Sequence, residues 1–292
     1  MLLAGGLPWL RPWMGDGDIC GKPVVTARNI LLSAVVLLNM NAIIAAMLFG
    51  LSLNAGQATH QASVLVELFT SEGCSSCPPA DSLLIWLQKN QPVAGVTIIP
   101  MSEHVDYWNN SSWQDRFSSP GFSDRQQEYV RSLHVDSPYT PEMVVDGRAE
   151  FVGSDKDAAL RLIDAAAKQP RADVQVSDVR VIGQILTFDV SVNRLDFPSA
   201  DHLSDIYVAV TEDALSTRVR GGENSGHLLS HTAVVHELLR IANIIKGASL
   251  TKPFSVPLMP GWKIGSLSAV AFVQGRGSRR ILGAGIARVS AP

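Results

Sequence analysis

The apolar run Val64-Leu65-Val66-Glu67-Leu68-Phe69 leads within a few residues into Cys74-Ser75-Ser76-Cys77, and Pro78-Pro79 then open a helical stretch. This junction constrains the chain most, because it sets a strand, a turn and a helix around one reactive pair. Two cysteines three apart on a helical turn have Cα atoms roughly 5 Å apart, inside the window of about 4.4–6.8 Å that a disulfide needs. With Cys74 at or near the helix N-cap, unpaired backbone amides would face its sulfur and the helix dipole would favour the thiolate. Cys74 is then the nucleophile and Cys77 the resolving thiol. Taken alone, the pair has three readings: a redox-active centre, a static short-loop disulfide, or half of a metal site.

Further residues bear on that choice. Glu67 lies seven residues before Cys74 in a strand that otherwise reads as buried. Facing inward it would have a raised pKa and could take the proton of Cys77; facing outward it is an ordinary sheet-edge carboxylate. Glu72 reads as exposed. His104-Val105-Asp106-Tyr107-Trp108 follows the second strand, and the C-terminal ends of two parallel strands share one sheet edge, so His104 is expected near Cys74 with Asp106 a candidate to orient it. No second CxxC or HxxxH completes a tetrahedral zinc site. Cys74, Cys77 and His104 could instead hold Cu(I), so copper is the alternative to no cofactor at all. Trp108, Trp113, Phe117 and Phe122 read as the packing of a helical insertion. Glu223, Asn224 and His231 cluster among glycines and either cover the redox face, bind a ligand, or simply build a hairpin.

Ile30 to Leu53 is almost wholly apolar, carries no charge and follows Lys22 and Arg28. It is long enough to cross a bilayer in the positive-inside sense, while Gly56-Gln57-Ala58 offers a small-residue cleavage site. The expectation is an exported protein with an N-terminal hydrophobic helix, either a signal peptide within 30–58 or an anchor at 30–53, behind a tail at 1–29. In a Gram-negative bacterium the CxxC is then periplasmic, in an oxidising compartment, and the membrane is met only through this segment if it is uncleaved. Cys20, the third of three cysteines, stands apart from the pair. A net charge of −3 with no long basic run gives no support for nucleic acid and leaves proteins or small molecules as partners.

From Val64 the pattern alternates: a strand, a helix at about Ala80 to Lys89, a strand at Val96 to Met101, a helix at Ser123 to Leu133, a short strand at Met143 to Val145, and a helix at Asp155 to Lys168. That alternation predicts an α/β layer with a partly parallel sheet over 60–169. After Pro170 the pattern changes to period-two segments between Gly, Pro and Asn turns, predicting a mainly antiparallel β-sandwich-like domain over 172–292. Val234 to Ile245 fits a strand or a helix.

Four blocks together resemble the DUF1223 family: Val66 through Asp81, His104-Val105-Asp106-Tyr107-Trp108, Tyr139-Thr140-Pro141 through Asp146-Gly147, and Gly222-Glu223-Asn224-Ser225-Gly226 with Leu229 and His231. Ser230 stands where that family is expected to carry a basic residue. The resemblance implies bacterial secreted proteins with a thioredoxin-like domain followed by a β-rich one. In thioredoxin-like and glutaredoxin-like proteins a Thr-Pro before a strand is the cis-proline facing the CxxC. That likeness implies Pro141 as part of the catalytic wall, with Thr140 and Tyr139 binding substrate. The implied activity is thiol–disulfide exchange with protein thiols or disulfides; the alternative is a binding protein, either a copper carrier or an interaction module with a structural disulfide.

Overall fold

The computed structural model describes residues 61–193 and 201–290. The first half supplies β1 (Ala62–Thr70), α1 (Pro78–Asn90), β2 (Val96–His104), α2 (Pro120–Leu133), β3 (Glu142–Val145), β4 (Ala149–Val152) and α3 (Lys156–Ala167). Local chemistry explains the helix starts. Ser119 accepts from the Gly121 amide with Pro120 at the first helical position, and Asp155 accepts from the Ala158 amide. The second half is strand after strand: β5 (Val174–Ile182), β6 (Ile185–Val192), β7 (Leu203–Glu212), β8 (Leu215–Arg218), β9 (Leu228–His231), β10 (Val234–Ile245), β11 (Leu250–Pro257), β12 (Leu267–Gly275) and β13 (Ile281–Arg288).

These strands overturn the expected fold class. In place of an α/β thioredoxin-like domain followed by a separate sandwich, the protein is mainly β. One mixed eight-stranded sheet, in the order β13-β12-β7-β10-β2-β1-β3-β4, takes strands from both halves. The join is at β2: the Ser102 amide donates to the Ala233 carbonyl at 2.8 Å, and Val234 sits in parallel register with Ser102. The join is short, with Val234 the one β10 residue in register with β2. Hydrophobic period identifies a strand but not its neighbour, so the alternation of the first half concealed this join. The described residues all fall in one compact unit, and the expected division between 169 and 172 falls inside it. The expected N-terminal hydrophobic helix lies outside the described residues; among those described, no helix is long and apolar enough to cross a membrane. Val234–Ile245 is a strand throughout.

The alternation of β1 sorts the core into faces. Val64, Val66 and Leu68 pack with Leu83, Leu84 and Leu87 of α1 and with Ala159 and Ile163 of α3. Leu65 and Phe69 point the other way, towards Phe122 and Tyr129 of α2. At the far end, Leu186, Phe188, Val190 and Val192 of the three-stranded sheet β11-β6-β5 cover Ile206, Val208 and Val210 of β7 together with Ala269, Ala271 and Val273 of β12. β12 is buried at every position because both its faces are covered. Each fully buried Leu, Ile, Val or Phe side chain here contributes about 1.5–3 kcal/mol. Among the described residues, β8 and β9 form a two-stranded sheet of their own.

Candidate functional site at the head of the first helix

Cys74 and Cys77 form a disulfide with Cα atoms 5.5 Å apart, in the turn between β1 and α1. The turn is closed by the Cys74 amide on the Ser71 carbonyl and the Cys77 amide on the Cys74 carbonyl, both at 3.2 Å. Cys77, not Cys74, is the helix cap. The next two residues are Pro78 and Pro79, which have no N–H, and the Ala80 amide is already bonded to the Cys77 carbonyl at 2.8 Å. The free amides expected to face Cys74 are therefore not there. What reaches its sulfur is the Ser76 hydroxyl, at 3.3 Å. Neither sulfur-bearing residue has any exposed surface, while Ser75 and Ser76 between them are exposed.

Thr140–Pro141 is a cis peptide, as the sequence implied, and it lies across from the pair. The Thr140 carbonyl stands 3.5 Å from the Ser76 hydroxyl. Gly153 lets this wall close: a Cβ there would come within 2.9–3.2 Å of Leu68, Ala80 and Pro141 at once. Trp108 bridges the two sides, its indole N–H donating to the Thr140 hydroxyl at 2.7 Å while its own Cβ leaves only 3.2 Å for a side chain at Gly73. Trp113 donates to Glu72 at 3.2 Å. These two tryptophans are walls of the site, whereas Phe122 is core packing. Tyr139 turns elsewhere: its hydroxyl donates to Glu150 and its carbonyl accepts from Gln126 at 2.8 Å.

Glu67 is not available to Cys77. Strand alternation puts it on the face opposite α1, where Arg125 donates to it at 2.6 Å and the Tyr129 hydroxyl at 2.6 Å. His104 is fully buried at the end of β2, and Asp115, not Asp106, orients it, with Nδ1 2.7 Å from the carboxylate. Burial pushes the Asp115 carboxyl up, but His104 and the amides of Glu72 and Phe117 outweigh it and hold it below the usual carboxylate range. Asp106 instead accepts from the Ser123 hydroxyl in α2. With Cys74 and Cys77 joined as a disulfide, no group of three or more His, Cys, Asp and Glu side chains among the described residues is placed to hold a metal ion.

Sequence reasoning missed the group beneath the disulfide. Glu72 is buried, not exposed. It lies 3.4 Å from His231 Nε2, and Asp81 lies 3.7 Å from His231 Nδ1. Burial alone would push the His231 imidazole down, but Asp81 and Glu72 outweigh it and its pKa is pushed up to about 9. The imidazole thus sits between two acidic side chains that favour its charged form. Both ring nitrogens, Glu72 Oε1 and Asp81 Oδ1 are buried without a hydrogen-bond partner, so the ion pairs are close but not locked. The His231 ring packs edge-on against His104 at 4.9 Å and Phe117 at 5.9 Å. Asp81 follows Cys77 by four residues, and helical side chains lean towards the N-terminus, so its carboxylate overlies the Cys77 turn. That i,i+4 spacing was the one sequence signal for it. His231 also lines an open cleft of about 680 Å³ with Gln88, Asp213 and Thr232.

The tip of the β8–β9 hairpin closes the site. The Ser75 amide donates to the Glu223 carboxylate at 3.1 Å, and the Asn224 amide group donates to the carbonyls of Glu72 and Cys74, both at 2.9 Å. Glu223 and Asn224 thus sit in a Gly-rich hairpin, one of the three readings weighed, and also bond to the cysteine turn, while His231 lies beneath it.

No curated protein matches the chain. The crystal structure of protein AGR_C_4864 from Agrobacterium tumefaciens is similar in fold, with a TM-score of 0.61 at 24% identity over 78% of this chain and 95% of that one. HBP35 of Porphyromonas gingivalis is similar with a TM-score of 0.53 at 16% identity, over 78% of this chain and 76% of that one. At these identities the likeness is one of fold alone. Residues 65–274, which hold the cysteine pair, both tryptophans, the Thr140–Pro141 wall and the hairpin tip, match the family described as "Protein of unknown function (DUF1223)", and the chain belongs to that family.

Proposed function

We propose that the protein is an exported, periplasmic thiol–disulfide exchange protein that works on polypeptide cysteines through Cys74 and Cys77. The observation that carries this reading is the buried acid–imidazole pair under the disulfide. Asp81 lies one helical turn beyond Cys77 and His231 lies behind it, beside a solvent cleft. A permanent staple has no use for a titratable pair there. The charge-free stretch from Ile30 to Leu53 supports export, and an oxidising compartment suits a disulfide.

In the direction that oxidises a client, a client thiolate attacks Cys74 Sγ, the Cys74–Cys77 bond breaks, and Cys77 leaves as a thiolate that takes a proton by way of Asp81 and His231. A second client thiolate then attacks the mixed disulfide and displaces Cys74. The client dithiol loses two electrons and becomes a disulfide; the protein's disulfide gains them and becomes a dithiol. In reverse, Asp81 accepts the Cys77 proton so that Cys77 can resolve the mixed disulfide. Asp81 and His231 take the proton-handling part expected of Glu67 and His104, and Trp108, Thr140 and Pro141 wall the groove.

One observation favours a second reading, a structural disulfide in an interaction module: neither cysteine has exposed surface. Equilibrating the full chain in glutathione buffers of graded poise, and counting thiols by alkylation, separates the two. Exchange predicts a midpoint within the physiological range. A pair that stays closed at every poise, where structural disulfides have potentials below about −300 mV, overturns it.

A further inference from the structure

The hairpin tip satisfies the cysteine turn with the groups a peptide backbone would bring. Ser75 offers an N–H and receives the Glu223 carboxylate oxygen; the Glu72 and Cys74 carbonyls receive the two hydrogens of the Asn224 amide. An extended chain carries the same acceptor and donor as its C=O and N–H. Resting on the exchange reading, we propose that Glu223 and Asn224 form a latch that mimics a client's backbone, so that the client is an extended, cysteine-bearing polypeptide that displaces the tip to reach Cys74.

The tip is built for this place and held lightly in it. Gly222 and Gly226 adopt φ of +71° and +85°, and the turns they permit, Ser225 N–H to the Gly222 carbonyl and His227 N–H to the Asn224 carbonyl, set the two side chains side by side. A Cβ on Gly221 would lie 2.0 Å from the Ser112 carbonyl oxygen, so only glycine lets the tip settle beside the Trp113 wall. Among the described residues the hairpin pairs with no other strand, so its tip is held by the packing of its base and by the contacts of Glu223 and Asn224. His231 and Leu229 bury its base, while the Glu223 side chain and the neighbouring Leu228 are exposed. Lifting the tip uncovers Cys74 without opening the eight-stranded sheet.

The test uses the full chain in detergent micelles and follows reduction of Cys74–Cys77 by alkylation quench. With dithiothreitol, Asn224→Ala, which loses two hydrogen bonds, should be reduced about tenfold faster, and Glu223→Ala about threefold faster. Glu223 is exposed, so the second substitution keeps the test sound if the first disturbs folding. Unchanged rates in both variants overturn the latch. The second reductant is reduced, unfolded ribonuclease A, compared with glutathione at equal thiolate concentration. The polypeptide should be faster on the parent, and its advantage should shrink in Asn224→Ala. Glutathione matching it overturns the polypeptide client. Transfer to the polypeptide at a rate indifferent to both substitutions ends the latch and leaves the exchange reading. No transfer in any form ends the exchange reading and the client with it.

Discussion

Two buried acid clusters lie on opposite sides of β1, and they are built differently. On one side Glu67 is gripped by Arg125 and Tyr129, with Gln274 of β12 donating to the same tyrosine at 3.0 Å. Arg125 is itself surrounded by the rings of Tyr129, Tyr207 and Phe272, with its guanidinium carbon 5.2–5.6 Å from their centroids. Burial, then Glu67 beside it, holds the neighbouring Glu103 carboxyl well above the usual range despite Arg125. A guanidinium does not give up its proton, so this cluster is a fixed brace tying α2 and β1 to the second half. On the other side, Glu72 and Asp81 face His231, whose charge can come and go. A carboxylate beside a permanent cation holds a fold together; one beside a titratable ring can pass a proton.

The contrast predicts a ranked set of effects. Arg125→Met leaves Glu67 buried with its cation removed and should cost about 3–5 kcal/mol in urea unfolding. A cost below about 1 kcal/mol would mean that the brace is not one. His231 comes next. Its pKa is raised from 6.5 to about 9, so its contribution is fully present below pH 6.5 and is lost as pH rises through 9. At about 1.4 kcal/mol per pKa unit this amounts to about 3 kcal/mol. Glu142, pushed up to about 7 mainly by burial, also titrates near this range but is common to both proteins. The difference between the parent and His231→Gln stability profiles therefore isolates the histidine, and parallel profiles would remove the charged ring from the account. The smallest effect is kinetic. Asp81→Asn should slow resolution of a mixed disulfide about tenfold to a hundredfold at pH 7, read from alkylation-quenched time points. Glu67→Gln should resolve at the parental rate wherever it folds; the reverse pattern would exchange the roles of the two clusters.

Much of the local structure was legible in the sequence. The alternation of β1 and the helix start at Asp155 follow from neighbours in the chain, where period and capping act, while the Thr140–Pro141 wall was implied by the family likeness. Two things were not. The pairing of Ser102 with Val234 spans the chain, and nothing in either segment's pattern names its partner, so one sheet read as two domains. Glu67 and Glu72 were misplaced because one run of apolar residues does not say which face a lone carboxylate takes. Glu67 sits on the α2 side through strand alternation, and Glu72 is buried because Trp113 and His231 come to it from distant segments. Asn224 was singled out as polar among glycines, but its hold on the Cys74 carbonyl exists only once β8 and β9 fold back.

Thiol–disulfide exchange requires that the Cys74–Cys77 disulfide open onto a client. The direct measurement is a trap: Cys77→Ser and Cys74→Ser forms of the full chain, each incubated with a disulfide-bearing polypeptide and quenched by alkylation. Cys77→Ser should accumulate a mixed disulfide through Cys74, and Cys74→Ser should accumulate little. No mixed disulfide in either form, or equal amounts in both, would contradict a Cys74 nucleophile resolved by Cys77.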